Sequence, residues 1–188
     1  MRKVSALLFI SVDGVVEAPD QWQFDFDEGM GEAMNAAQAA QDTVLLGRVT
    51  YQEWLPYWST YTEGEDVDYA DFINSTPKYV FSTTLNTVDE WKNSTLVKGG
   101  LADTINALKQ QPGKTISTAG SPTLVRSLLK ENLLDELILF VHPAVAGKGK
   151  RLFSDNSDLQ RLHLVDSKAT RSGVMILTYR LFTPADEA

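Results

Sequence analysis

A chain of 188 residues, 43% hydrophobic and 22% charged, has the make-up of one ordinary globular domain. At this length about 70% of the unfolded surface can be buried without covalent staples. The absence of cysteine excludes disulfides, thiolate metal sites and a cysteine nucleophile. The net charge of -8 argues against general binding to nucleic acid or an anionic membrane, so any anionic ligand needs a local basic cluster.

Apolar runs alternate with helix-like stretches, which predicts an α/β layer fold in a single domain, 1–188. Val4–Ser11 reads as a buried first strand rather than a signal peptide, because Asp13-Gly14 follows at once and no small-residue cleavage site is visible. No apolar run approaches the roughly 20 residues of a membrane span, and the expectation is a cytoplasmic protein. A loop with Pro19 and Trp22 leads to a predicted helix over about Asp27–Gln41, then a short buried strand at Thr43–Gly47. A small helix is expected from Thr50, opened by a capping box of Thr50 and Glu53. The aromatic, acidic stretch Tyr57–Asp71 predicts a loop and then a helix ending before Pro77. Lys78–Ser82 and Leu96–Lys98 read as strands, Leu101–Gln110 as a helix and Thr115–Ala119 as a strand. Ser121 is the expected cap of a helix with Pro122 at its first position and Leu124, Leu128 and Leu129 on its apolar face, ending near Asn132. Glu136–His142, Leu162–Lys168 and Val174–Leu181 complete the strands, the last two antiparallel around Arg171-Ser172-Gly173.

Three strand ends carry anion-binding chemistry. In Leu46-Gly47-Arg48-Val49-Thr50-Tyr51 a strand passes through glycine into a helix, whose free N–H groups and positive dipole end suit phosphate, and Arg48 adds a planar donor fork. Thr118-Ala119-Gly120-Ser121-Pro122-Thr123 is a second such junction, where Gly120 lets the backbone approach a ligand closely. Ser82-Thr83-Thr84 ends a third strand. Each also has a plain reading as a turn or cap, and it is their coincidence in one small domain that carries weight. Asp13 is the carboxylate singled out for a cleft, against its reading as a turn residue in Asp-Gly. Trp22, Phe24, Trp54, Tyr57, Trp58 and Tyr61 supply core, and stacking faces for a planar heterocycle.

Other motifs fail. Gly147-Lys148-Gly149-Lys150-Arg151 lacks the Gly-Lys-Ser/Thr ending and helix of a phosphate loop, and no GxGxxG follows a strand. The two histidines, His142 and His163, are too few and too far apart in sequence to suggest a metal site, and no Gly-x-Ser-x-Gly elbow supports a serine nucleophile.

Taken in order, Ser11-Val12-Asp13-Gly14, Leu45–Tyr51 and Lys78–Ser82 resemble the dihydrofolate-reductase-like superfamily. Gly120–Leu124, Leu133–Leu137 and Pro143–Gly149 are similar to the branch holding the C-terminal reductase domain of the riboflavin-biosynthesis deaminase-reductases and its stand-alone relatives. The resemblance covers nearly the whole chain. It implies a three-layer α/β fold, a mostly parallel sheet with an antiparallel C-terminal edge and helices on both faces, with NADPH across the strand ends and frequently a homodimer. By position it implies that Gly47, Arg48 and Thr50 hold phosphates, with Arg48 near the 2′-phosphate. Ser82 and Thr83 would border the adenosine, and Gly120, Ser121, Pro122, Thr123 and Leu124 would cradle the pyrophosphate. Asp13 would face nicotinamide and substrate. The chain departs from the pattern twice. The pterin-binding acid of dihydrofolate reductases falls near Gly31, a turn away from Asp27 and Glu28, and Ala119 stands where the riboflavin-pathway reductases usually carry Glu. The expected function is therefore NADPH-dependent hydride transfer to a small pterin- or pyrimidine-like heterocycle, with an NADP-binding sensor or assembly protein without turnover as the alternative.

Overall fold

β-branched and aliphatic runs of four to eight residues, each closed by glycine or a polar turn, form the sheet around which everything else packs. The computed structural model describes residues 1–153 and 159–182. In chain order it contains β1 (Val4–Ser11), α1 (Glu28–Ala39), β2 (Gln41–Gly47), α2 (Arg48–Trp58), α3 (Val67–Ser75), β3 (Lys78–Phe81) and β4 (Ser94–Val97). Then follow α4 (Leu101–Gln110), β5 (Thr115–Ala119), α5 (Pro122–Lys130), β6 (Glu136–His142), β7 (Leu162–Ala169) and β8 (Met175–Leu181). The sheet order is β4-β3-β2-β5-β1-β6-β8-β7, parallel through β6 and antiparallel at β6/β8 and β8/β7. This is the α/β dihydrofolate-reductase-like architecture that the sequence predicts.

Alternation along β1 divides the core. Val4, Ala6, Leu8 and Ile10 pack with Ile105 and Leu108 of α4 and with Val125, Leu128 and Leu129 of α5. On the opposite face Leu7 and Phe9 lie with Met30 and Met34 of α1, while Val44 and Leu46 of β2 pack with Tyr51 of α2 and Ile73 of α3. Helices thus cover both faces. Among the described residues no helix is long and apolar enough to cross a membrane.

Two expected caps are corrected by the structure. Gly47, in an extended conformation, is the N-cap of α2, so the helix starts at Arg48 and Thr50 lies inside its first turn with no capping box. Ser121 sits at the N-cap of α5 in a left-handed conformation (φ 57°) with no side-chain cap bond. Both hydroxyls are drawn away from their own helices by a neighbour distant in sequence. The Thr50 hydroxyl accepts the Ser121 N–H (3.1 Å), and the Ser121 hydroxyl accepts the Gly47 N–H (2.8 Å) while donating to the Ala119 carbonyl (2.9 Å). Because β2 and β5 are adjacent strands, their two Gly-to-helix junctions are stitched to each other.

Candidate active site

A cavity of about 650 Å³ opens at the C-terminal ends of β2, β3, β4 and β5. It is the crevice position that parallel α/β sheets offer to ligands. Of the residues expected to hold a cofactor, Gly47, Arg48, Thr50, Ser82, Thr83, Ser121, Pro122, Thr123 and Leu124 all line it. Gly120 instead lines a second cavity of about 360 Å³, which shares Thr50, Glu53, Ser121 and Pro122 with the first.

The first cavity is a backbone site. Three helices begin on its wall, α2 at Gly47, α4 at Gly100 and α5 at Ser121, and none has a side-chain cap. The first-turn N–H groups of α2 and α4, and those of Thr123 and Leu124 after Pro122 in α5, are therefore left to water or a ligand, at three positive dipole ends. Gly120 and Ser121 are both left-handed (φ 52° and 57°), which turns the chain sharply from β5 into α5. A Cβ on Gly120 would lie 3.4 Å from the Thr50 methyl, so the junction is close-packed where the strand ends. Arg48, Lys98 and Lys150 are the basic side chains on the wall and Glu17 and Glu53 the acidic ones, a net positive balance in an acidic protein. The exposed Arg48 guanidinium donates to Gln52 (2.8 Å) one turn along the helix, and Lys150 pairs with Glu17 (2.8 Å). The Ser82 hydroxyl accepts the N–H groups of Thr84 and Leu85 (3.2 and 3.0 Å), which shapes the loop after β3 and leaves Thr83 exposed on the wall.

Sequence reasoning missed Lys98, Gly99, Glu53 and Lys150 on these walls. Lys98-Gly99-Gly100 bears the same strand–Gly–helix signature as the two junctions that were recognised, and that signal could have found it. Lys150 belongs to the segment set aside as a failed phosphate loop. That segment is not a phosphate loop, yet one of its lysines reaches the cavity.

The second cavity is a side-chain site on the α1 face of the sheet. Phe9, Met34, Gln38, Trp54, Tyr69 and Phe72 line it. Trp54 and Trp58 both meet Tyr69 edge-on (ring centres 6.3 and 4.9 Å), which fixes the aromatic wall, and burial pushes the Tyr69 phenol pKa upward.

Asp13 lines neither cavity. Its carboxylate accepts the Ser11 hydroxyl (2.6 Å) and the N–H groups of Ala146 and Gly147 (2.9 and 3.0 Å), and Arg151 stands 3.5 Å away. The Ser11 hydroxyl above all, then the two amides, pull its pKa down to about 2. The placement makes it a clamp between the loop after β1 and the loop after β6, and gives no support to the catalytic part expected for it.

Asp27, just before α1, is similarly committed. Asp27 caps α1 through the Met30 N–H (3.0 Å) and ties it to the β7–β8 turn through the Ser172 N–H (2.7 Å), with Ser172 foremost in holding its carboxyl far below the usual range. Neither Asp27 nor Glu28 lines either of these two cavities. His142 is buried between Phe9 and Trp22, its Nε2 without a partner, and burial lowers its pKa. Among the described residues no group of three or more His, Asp or Glu is placed to hold a metal.

From residue 2 to residue 176 the chain matches the family described as the RibD C-terminal domain. The protein belongs to that family. It is 31% identical over 186 residues to the uncharacterized protein YyaP of Bacillus subtilis, covering 95% of this chain and 94% of YyaP. Among solved structures it is similar to a putative riboflavin biosynthesis protein from Shewanella (TM-score 0.77, 20% identity, 96% and 99% of the two chains). It also resembles the Thermotoga maritima diaminohydroxyphosphoribosylaminopyrimidine deaminase/5-amino-6-(5-phosphoribosylamino)uracil reductase (0.68, 14%, 96% of this chain and 57% of that one). An Enterococcus faecalis dihydrofolate reductase complexed with NADP(H) superposes at 0.62 with 11% identity over 96% and 97% of the chains. At these identities the structures speak for the fold, and the family match places the chain in the RibD branch of it.

Proposed function

We propose that this protein is an NADPH-dependent reductase acting on a small pyrimidine- or pterin-like heterocycle. The observation that carries the reading is the convergence of three uncapped helix N-termini and three basic side chains on one cavity. An extended ligand with several phosphates fits this donor set: backbone N–H groups suit a pyrophosphate, and Arg48 with Lys98 suits a further phosphate. Gly47, Thr50, Gly120, Ser121, Pro122, Thr123 and Leu124 would form the cradle, with Ser82 and Thr83 along the outer wall. The bound cofactor would supply a hydride. The protein's part is alignment. Thr50, Glu53, Ser121 and Pro122 border both the cofactor cavity and the aromatic one, so a ring seated in the second cavity would lie close to whatever reaches that end of the first. An adjoining second cavity also favours turnover over a sensor that binds the cofactor alone.

Titration calorimetry with NADPH and NADH tests the reading. A guanidinium–phosphate contact contributes about 1.5–3 kcal/mol, so NADPH is expected to bind at least about tenfold more tightly than NADH, and Arg48→Ala to remove most of that gap. Equal affinities in the unmodified protein would overturn it.

A further inference from the structure

Charge is divided unequally between the two adjoining cavities. Arg48, Lys98 and Lys150 line the first, against two acids, Glu17 and Glu53, so that its wall is positive on balance. The second, among the described residues, has no Lys, Arg or His on its wall, and its charged side chains are Glu53 and Glu136. Glu136 is neutralised by Lys3 (2.5 Å). Glu53 stands on the shared rim, exposed and one turn along α2 from Thr50. Lys150 feels its field, but that ammonium is held by Glu17. The remaining wall is rich in rings, with Phe9, Trp54, Tyr69 and Phe72, and has Gln38 and Ser117 as neutral polar groups.

Resting on the reductase reading above, we propose that the second cavity accepts an unphosphorylated planar ring, neutral or cationic, and that Glu53 selects against a phosphate-bearing one. The Thermotoga maritima protein of the same fold is named for a substrate that carries a phosphoribosyl group. A phosphate entering the present cavity would lose water without meeting a cation, and would do so beside a carboxylate, which is the costly way to bury charge. A neutral ring loses nothing of that kind and gains stacking area on the aromatic wall. A cationic ring gains in addition from the ring faces and from Glu53. Among the described residues, the bases that favour phosphate lie only on the cofactor cavity, and the acid on the shared rim is the one charge without a counter-ion that the second cavity meets.

Three probes of related ring size separate the charges: uridine, uridine 5′-monophosphate and 2,4,5,6-tetraaminopyrimidine, each titrated into the protein with and without excess NADPH and followed by tryptophan fluorescence. Uridine and the tetraamine are expected to bind at least tenfold more tightly than the monophosphate. Glu53→Lys should shrink the uridine-to-monophosphate gap below threefold or invert it, and Glu53→Gln should give an intermediate gap. A monophosphate that binds more tightly than uridine, a gap unmoved in both variants, or silence from all three probes while NADPH binds would each overturn the proposal. NADPH titration of the unmodified protein reports separately on the reductase reading: a protein that bound no NADPH yet kept the order of probes would overturn that reading alone.

Discussion

The first cavity is built from strand ends and helix starts, while the second is built from side chains standing on the flat of the sheet. The difference decides what each can bind and how each responds to substitution. Backbone N–H groups exist whatever the side chains are, so the first cavity depends on a few conformational requirements: Gly47 at the N-cap of α2, left-handed Gly120 and Ser121, and left-handed Gly100 before α4. The second depends on the identity of each wall residue, and one of the two departures noted in the sequence falls there: Ala119 lines it, whereas Gly31 does not, and α1 contributes Met34, Ala37 and Gln38 to its wall. A fold arranged in this way can keep one ligand and change the other.

The sharpest way to break the comparison is at Gly120. A β-branched residue in the left-handed region costs about 1–2 kcal/mol in backbone strain, and its side chain would press on Thr50, already 3.4 Å from where the Cβ must sit. Gly120→Val is expected to lower stability by about 2 kcal/mol or more and to weaken NADPH at least about thirtyfold by moving the Ser121 junction. Thermal melting and calorimetry read both effects. Unchanged NADPH affinity in a folded variant would show that this junction is not part of the seat.

The stitch between the two junctions is the next point of attack. Thr50→Val keeps the shape but removes the acceptor of the buried Ser121 N–H, and an orphaned buried donor costs about 1–3 kcal/mol. Because Thr50 lies on the shared rim, binding to both cavities should weaken together, each by roughly three- to tenfold, with Thr50→Ser restoring most of the loss. A variant that loses stability but keeps both affinities would show that the stitch holds the fold and not the sites.

The same contrast explains what the sequence could reveal. β1, α4, β5 and β6 have the bounds that local pattern predicts, because their apolar alternation and helical periodicity agree with the packing they receive. Nine of the ten expected cofactor residues share one cavity because seven are glycine, hydroxyl or arginine at or just past a strand end, with Pro122 and Leu124 carried along in the same turn, a signal written within a few residues. The two capping assignments fail because Thr50 and Ser121, 71 residues apart, answer each other across adjacent strands, and no local rule contains that pairing. Lys150 is hidden for the same reason. Its loop is placed by Asp13, by the Val15–Arg151 bridge and by Glu17, which accepts the Lys150 N–H at 3.1 Å, all contacts more than 130 residues apart in sequence. The aromatic wall was legible as a group of rings but not as a cavity, since periodicity alone does not say which rings leave space between them.

The smallest expected effect concerns Asp13, and it separates a clamp from a catalyst. Asparagine keeps one oxygen for the Ser11 hydroxyl or one amide but loses the second acceptor and the charge that faces Arg151. Asp13→Asn should therefore loosen the loops after β1 and β6 and lower the melting temperature by a few degrees near neutral pH. NADPH affinity should stay within about threefold, because Asp13 touches neither cavity. The pH dependence gives the sign. A carboxyl whose folded pKa lies at about 2, below its ordinary 3.8, favours folding in its ionised form, so its contribution is complete above about pH 4 and is lost as the pH falls through 2. The melting-temperature difference between the two proteins should accordingly be constant from neutrality down to about pH 4 and close steadily below it. Turnover is the opposing readout. A clamp that acts through loop position should leave it within about tenfold, whereas a group that relays a proton to substrate is worth about 10²-fold or more. A loss of that size with an unchanged melting temperature would return Asp13 to the reaction and require the loop after β1 to swing its carboxylate out of the Ala146–Gly147 amides during the cycle.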